Sequence, residues 1–419
     1  MSGESERVLV LNPGTTSTKL GVFTRAGEEM SWNIHHGDDE IERFRGRPML
    51  DRLEYRAAKI EAALAEAGYS PNGETMGIFS SAPTLNAKDA FRMGHPRFGP
   101  KGKEAECWAA VAGRGGMLPP MECGTYLVDD AMVGELKLAR RGEHASNLGA
   151  VLALRFARTA GVDAYVVDPV TADEWQDCAR LSGSPLAGRT FIGHVLNTKA
   201  VARRHARGLG RRYEEMRLIV VHMGSGITVS AHRGGRMIDS NSIEEGPFGP
   251  DRTGSLPVRE LIRLCFSGKM TESELDRHVF GDGGLFAYLG TRDLIEVERR
   301  IDSGDEQAAA VLEAMVYQIG KEAGAMTSVL EGKVDAVLVT GGMAHSDRVV
   351  RMLRRYVEWI APVAVYAGED ELQALAEGVF RVLDGEETVK RLGSAGTRGT
   401  GMRDQGLRNR ESGLGWDEP

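Results

Sequence analysis

The chain has 419 residues, 42% of them hydrophobic and 27% charged, with 52 basic against 60 acidic side chains and a formal net charge of −8. That length calls for two domains, each large enough to bury its own core. The acidic balance argues against nucleic acid or an anionic membrane surface as a partner. A polar, charged stretch from Met1 to Arg7 and the lack of an apolar run of membrane length give the expectation of a cytoplasmic protein. The cysteines Cys107, Cys123, Cys178 and Cys265 are scattered without a C-x-x-C, so they read as buried thiols, not as zinc ligands or a disulfide framework.

Val8-Leu9-Val10-Leu11 is a short aliphatic run of buried-strand type. It leads through the hydroxyl-rich turn Asn12-Pro13-Gly14-Thr15-Thr16-Ser17-Thr18-Lys19 into a second apolar run, Leu20 to Phe23. Met49 to Gly68 has helical spacing through Leu53, Ala57, Ile60 and Leu64, with Gly68 as the stop. From Met76 the pattern is irregular and ends in Gly113-Arg114-Gly115-Gly116. An arginine among glycines suits a carboxylate or phosphate, and equally suits an exposed loop. His144 precedes a helix over Leu148–Thr159, where free N–H groups favour an anion; Ser146 and Asn147 there are also ordinary caps.

Val162 to Val167 reads as a strand that presents Asp168, followed by Pro169, at its C-terminal end, where ligands sit in open α/β sheets. His194 precedes a helix over Thr198–Gly208. Leu218 to Val221 is a second buried strand, broken at Gly224-Ser225-Gly226 before alternation resumes at Ile227, Val229 and Ala231. A glycine-flanked turn lets backbone N–H groups approach a phosphate, because no side chain stands in the way. Arg252 follows in another glycine-flanked segment. Leu256–Phe266, Glu272–Val279 and Gln307–Leu330 read as helices, and Gly281–Gly290 as a glycine-rich connector. A strand from Ala336 ends in Gly341-Gly342, ahead of a helix starting near Asp347. Pro362–Tyr366 reads as a strand, and Glu369-Asp370-Glu371 opens a helix to Leu383. Two phosphate hairpins and a strand–Gly–Gly–helix corner describe a nucleotide held between two related lobes.

Seven long motifs carry a resemblance: VLVLNPGTTSTKLGVF, GEHASNLGA, DPVTADE, HMGSGITVSAHRGGRMID, EGPFGPDRTGSLP, LVTGGMAHS and AGEDELQALAEG. The chain resembles the butyrate kinases of the acetate kinase family, within the sugar kinase and actin-like ATPase superfamily. The resemblance implies an α/β protein of two duplicated ribonuclease H-like domains with an interdomain cleft. They would span 1–190 and 191–369, the helix at about 370–387 would return to the first, and 390–419 would form a disordered tail. It implies ATP or ADP with Mg²⁺, a short-chain fatty acid as substrate, reversible formation of an acyl phosphate, and a homodimer or higher homo-oligomer.

Carried over by position, the resemblance assigns Asn12, Thr16, Ser17, Thr18 and Lys19 to the first nucleotide hairpin. It assigns His222, Gly224, Ser225 and Gly226 to the second, and Gly341 and Gly342 to the adenosine corner. Arg114, Asp168, His194, Arg252 and His144 become catalytic candidates, and Asp168, Asn12 and Glu371, with Glu369 behind it, the metal candidates. Ser225 stands where the family commonly has a third glycine. A fatty carboxylate is already ionised at neutral pH, so the reaction needs relief of anion–anion repulsion more than a base. Asp168 is therefore read as a metal positioner. The competing readings are a kinase that prefers acetate or propionate, and a nucleotide-binding regulator that performs no chemistry.

Overall fold

A computed structural model describes residues 6–70, 108–242 and 244–393. These divide into two compact units: the first takes them from Met1–Met117, Gly124–Val167 and Leu375–Leu392, the second from Leu118–Cys123, Asp168–Ala374 and Gly393–Pro419. The main division therefore falls between Val167 and Asp168, earlier than the expected boundary near residue 190. Most of the expected tail lies outside the described residues.

The first unit is built on strands β1 (Arg7–Pro13), β2 (Ser17–Thr24), β3 (Gly27–His35), β4 (Trp108–Gly113), β5 (Thr125–Leu127) and β6 (Asp163–Val167) in the spatial order β3-β2-β1-β4-β6-β5. β1 to β3 pair antiparallel, while β4 and β6 add in parallel on the other side of β1. Val8, Leu9, Val10 and Leu11 are wholly buried, as an unbroken aliphatic run on a sheet covered on both faces must be. The helix Asn147–Ala160 packs on β1, β4 and β6. Its approach depends on glycines: a Cβ on Gly113 would stand 2.2 Å from Gly149 O, and a Cβ on Gly149 would stand 2.3 Å from Arg114 O. The residues of the last helix, Glu371–Leu383, that fall in this unit dock on its sheet. There Thr125 Oγ1 donates to Gly378 O at 3.1 Å, and a Cβ on Gly378 would meet Val167 at 2.5 Å.

The second unit carries β7 (Arg217–Met223), β8 (Ile227–Arg233), β9 (Arg236–Ser240), β10 (Ala336–Gly341) and β11 (Val363–Ala367), in the order β9-β8-β7-β10-β11. β7 to β9 are antiparallel; β10 and β11 are parallel to β7. This repeats the β3-β2-β1-β4-β6 arrangement of the first unit strand for strand, so the chain holds the same topology twice. The helix Glu306–Val329 covers β7, β8 and β9, burying Leu312, Met315, Val316 and Ile319 completely. Each such side chain contributes roughly 1.5–3 kcal/mol of transfer free energy. The helix Val195–Gly208 lies against β7 and β10.

Two sequence expectations change here. Gly281–Gly290 is not a bare connector: Gly284–Leu289 forms a helix that buries Leu285 and Leu289, the apolar pair i, i+4 in GLFAYL. Of the described cysteines only Cys123 is buried; Cys178 and Cys265 are exposed.

Candidate active site

In the first unit the turn between β1 and β2 places Asn12 opposite Lys19 in the ladder, with Thr15, Thr16 and Lys19 exposed and Ser17 half-buried. Thr18 differs from expectation. Its hydroxyl is wholly buried and bonded by Arg56 Nη1 at 2.7 Å and by the His36 ring at 3.0 Å, so it faces inward and is closed to a phosphate. Arg114 directly follows β4, is 7% exposed, and its N–H donates to Leu11 O. The neighbouring loop is fixed by buried Asn147, whose Oδ1 accepts from Met117 N at 2.8 Å and whose Nδ2 donates to Gly142 O at 3.2 Å. His144 is exposed; its Nδ1 accepts from Ser146 Oγ at 2.6 Å and from Ser146 N at 3.2 Å, which leaves the proton of the neutral ring on Nε2.

In the second unit Asp168 has a left-handed backbone, φ 39°, and no exposed surface. For a non-glycine residue that conformation costs roughly 1–2 kcal/mol, and it turns the carboxylate to Arg203, whose Nη1 donates to Oδ2 at 3.2 Å. Lys199, one helical turn before Arg203 and buried, pairs with Glu174 at 2.8 Å. The cation on Lys199 is retained: burial opposes it, but Cys123, Tyr213, Asp168 and Glu174 together raise its pKa above the ordinary lysine value.

The turn Gly224-Ser225-Gly226 joins β7 to β8, closed by Gly224 N donating to Gly226 O at 3.1 Å. Several expected side chains gather on it. The rings of His194 and His222 stack 3.8 Å apart at 13°. His194 Nδ1 lies 2.9 Å from Thr228 Oγ1, and Arg252 presses on Gly226, where a Cβ would stand 2.6 Å from Nη1. The Arg252 Nε is buried and donates to nothing among the described residues. His222 is wholly buried, with Nδ1 2.8 Å from Asn197 Nδ2, which also donates to Thr340 Oγ1 at 3.2 Å. An amide donor on Nδ1 puts the ring proton on Nε2. That atom lies 3.1 Å from Glu369 Oε1, within ion-pair distance but off the line of a hydrogen bond.

Glu369 lies beside the second hairpin, and its Oε1 would be 2.7 Å from a Cβ on Gly224. Glu371 opens the helix Glu371–Leu383, where an acid suits the dipole. Gly341 ends β10 at φ 91°; a Cβ there would be 2.4 Å from Met223 O, so only glycine fits against the end of β7, while Gly342 is exposed beside it. Asn197, Thr228, Thr340 and Arg203 were not singled out from the sequence, where a polar residue within a helix or strand carries no signal of the partner it meets in the fold. Among the described residues no group of three or more His, Cys, Asp or Glu side chains could hold a metal ion by itself. No described helix is long and apolar enough to cross a membrane.

Residues 188–369 match the model of the acetokinase family. A probable butyrate kinase of Clostridium botulinum (strain Alaska E43 / Type E3) is 42% identical over 388 residues, which covers 92% of this chain and 99% of that protein. A second, from strain Eklund 17B / Type B, is also 42% identical over 388 residues. Among solved structures, the acetate kinase of Porphyromonas gingivalis superposes with a TM-score of 0.70 at 17% identity, covering 90% of this chain and all of that one. The acetate kinase of Entamoeba histolytica does so at 0.66 and 14%, covering 89% and 98%. The repeated five-strand topology with a glycine or hydroxyl hairpin at the head of each sheet is that of the two-domain kinases with an actin-like ATPase fold. The chain belongs to the acetokinase family, and with it to the enzymes that phosphorylate a carboxyl group with ATP.

Proposed function

We propose that this enzyme transfers the γ-phosphoryl group of ATP, reversibly, to the carboxylate of a short-chain fatty acid, butyrate or a branched relative. The observation that carries the reading is the gathering of His194, His222 and Arg252 on the Gly224–Gly226 turn. A phosphate-sized anion on that turn meets backbone N–H groups, one guanidinium and one imidazole together. The name of the relatives at 42% identity supports butyrate over acetate or propionate.

In this reading the acid arrives ionised, since its pKa lies near 4 to 5 like that of a glutamate. Arg252 offsets the repulsion between two anions, and His194, steadied by Thr228, donates to a phosphoryl oxygen in flight. Mg²⁺ bound with the nucleotide would neutralise phosphate charge. A cation that keeps most of its waters and takes one or two carboxylates fits a second unit that has Glu369 beside the Gly224 turn and, among the described residues, no ready-made cage. Asp168, enclosed and hydrogen-bonded by Arg203, would help to position such an ion. A nucleotide as substrate supports the reading of a cytoplasmic enzyme. Exposed Val258, Ile262 and Phe266, spaced i, i+4, i+8 along and just past the helix Val258–Cys265, support self-association into a dimer or higher oligomer.

The test is an acyl-phosphate trap: the full chain with ATP, Mg²⁺, hydroxylamine and acetate, propionate, butyrate or isobutyrate. Hydroxamate is expected with the four-carbon acids at the highest kcat/KM. Highest activity with acetate or propionate would overturn the substrate, and no hydroxamate with any acid would leave a nucleotide-binding regulator.

A further inference from the structure

Arg56 has no place in the motifs above, yet it is 1% exposed and its guanidinium is spent on the first hairpin. It stands on the helix Leu53–Glu66. Nη1 donates to Gly14 O at 3.1 Å, Ser17 O at 3.0 Å and Thr18 Oγ1 at 2.7 Å, and Nη2 donates to Thr15 O at 3.2 Å. His36 N takes the remaining carbonyl, Thr16 O, at 2.9 Å. All four carbonyls from Gly14 to Ser17 are thus drawn to the protein side. Among the described hydrogen bonds the N–H groups of Thr15 and Thr16 donate to no partner, and both residues are exposed. No described carboxylate lies within ion-pair distance of Arg56; the oxygens of the turn are its hydrogen-bond partners, and Glu40 acts on the cation only from farther away. Burial lowers its pKa to about 10, which leaves it charged at neutral pH.

A turn has as many carbonyl dipoles as amide dipoles, and the oxygens repel a phosphate as strongly as the N–H groups attract it. A buried guanidinium that takes up the oxygens leaves the outer face of the turn with amide hydrogens, and its own charge adds to the attraction. We propose that Arg56 is a positioning residue that polarises the Gly14–Thr18 turn for the phosphate chain of the nucleotide. The idea rests on the kinase reading for the identity of the anion. The alternative is that Arg56 only staples the helix to the hairpin, a role that would affect folding and all ligands alike.

The experiment compares the wild type with Arg56→Lys, Arg56→Met and Thr18→Val in the full chain. It measures thermal melting, dissociation constants of ATP and AMP by calorimetry, and hydroxamate formation. Arg56→Met is expected to weaken ATP binding by about tenfold or more, as loss of a charge-assisted donor set does, while AMP changes by less than about threefold. Arg56→Lys, with the charge but not the fork, is expected to lie between. Equal losses for ATP and AMP, or an unchanged preference for ATP in a folded variant, would overturn the proposal. If Arg56→Met does not fold, Arg56→Lys and Thr18→Val decide it by the same ratio: a reduced preference for ATP over AMP supports the role, and an unchanged one removes it. A wild type that binds ATP with this preference but makes no hydroxamate would sink the kinase reading and leave the Arg56 result standing.

Discussion

Asp168 Oδ2 accepts a hydrogen bond from Arg203 Nη1 at 3.2 Å, and both residues belong to the second unit, with Asp168 wholly enclosed. Arg203 therefore helps to fix where the Asp168 carboxylate points. Its replacement by methionine keeps the aliphatic stem over Tyr213, 5.8 Å from the guanidinium carbon in the parent, but removes the fork. Arg203→Met is expected to lower kcat by about tenfold to a hundredfold with a stability loss of about 2 kcal/mol, read from steady-state kinetics and urea unfolding. Full turnover would show that Asp168 is held by other groups.

If Arg252 acts, as proposed, on charge that develops during transfer, Arg252→Ala should lower kcat by about a hundredfold or more while the dissociation constant of ATP changes by less than about fivefold. Calorimetry beside steady-state kinetics separates the two. Equal losses would make Arg252 a ground-state binding residue.

Gly226→Ala is expected to copy Arg252→Ala. The new Cβ would lie 2.6 Å from Arg252 Nη1 and 3.3 Å from His194 Cε1. Both atoms are at the ends of side chains that can move, so the fold accommodates the methyl and the active arrangement does not. A melting temperature within a few degrees of the parent together with a loss of turnover is the expected pair of results. Unchanged turnover would show that Arg252 need not rest on the hairpin.

His232 is wholly buried between the Tyr213 hydroxyl, 2.6 Å from Nδ1, and Ser230 Oγ, 2.8 Å from Nε2. Burial first, then the charges of Lys199 and Arg203, lower its pKa to about 3. The unfolded chain takes up this proton near pH 6.5, the folded chain only near 3. Stability from this group is thus complete above about pH 6.5, declines as pH falls, and is gone below about 3, a loss on the order of a few kcal/mol. His232→Gln should flatten the acid limb of the urea midpoint between pH 6.5 and 4. An identical slope in the variant would contradict the assignment.

The legible parts of this chain were those where sequence pattern and physical role coincide. The unbroken aliphatic runs Val8–Leu11 and Leu218–Val221 became central strands because a strand buried on both faces must be apolar throughout. β3, reading GEEMSWNIH, went unnoticed because an edge strand is half exposed and its apolar residues are sparse; β4, WAAVAG, has small residues so that a helix can approach. Motif resemblance indicated His194, His222 and Arg252, and the second unit gathers them on one turn. It could not indicate Arg56 or Asn197. A basic or polar residue inside a helix normally faces water, and only tertiary packing turned these two inward. Thr18 shows the converse: its hydroxyl lies in the right motif but on the inner side of the strand, as the alternation of side chains along β2 requires.

The central claim is that a carboxylate oxygen of the acid attacks the γ-phosphorus of ATP. Phosphorus-31 NMR of the product made from ¹⁸O-labelled butyrate tests it directly. The predicted result is an acyl phosphate resonance displaced by ¹⁸O in the bridging position. Release of ADP with unlabelled inorganic phosphate and no acyl phosphate would contradict it.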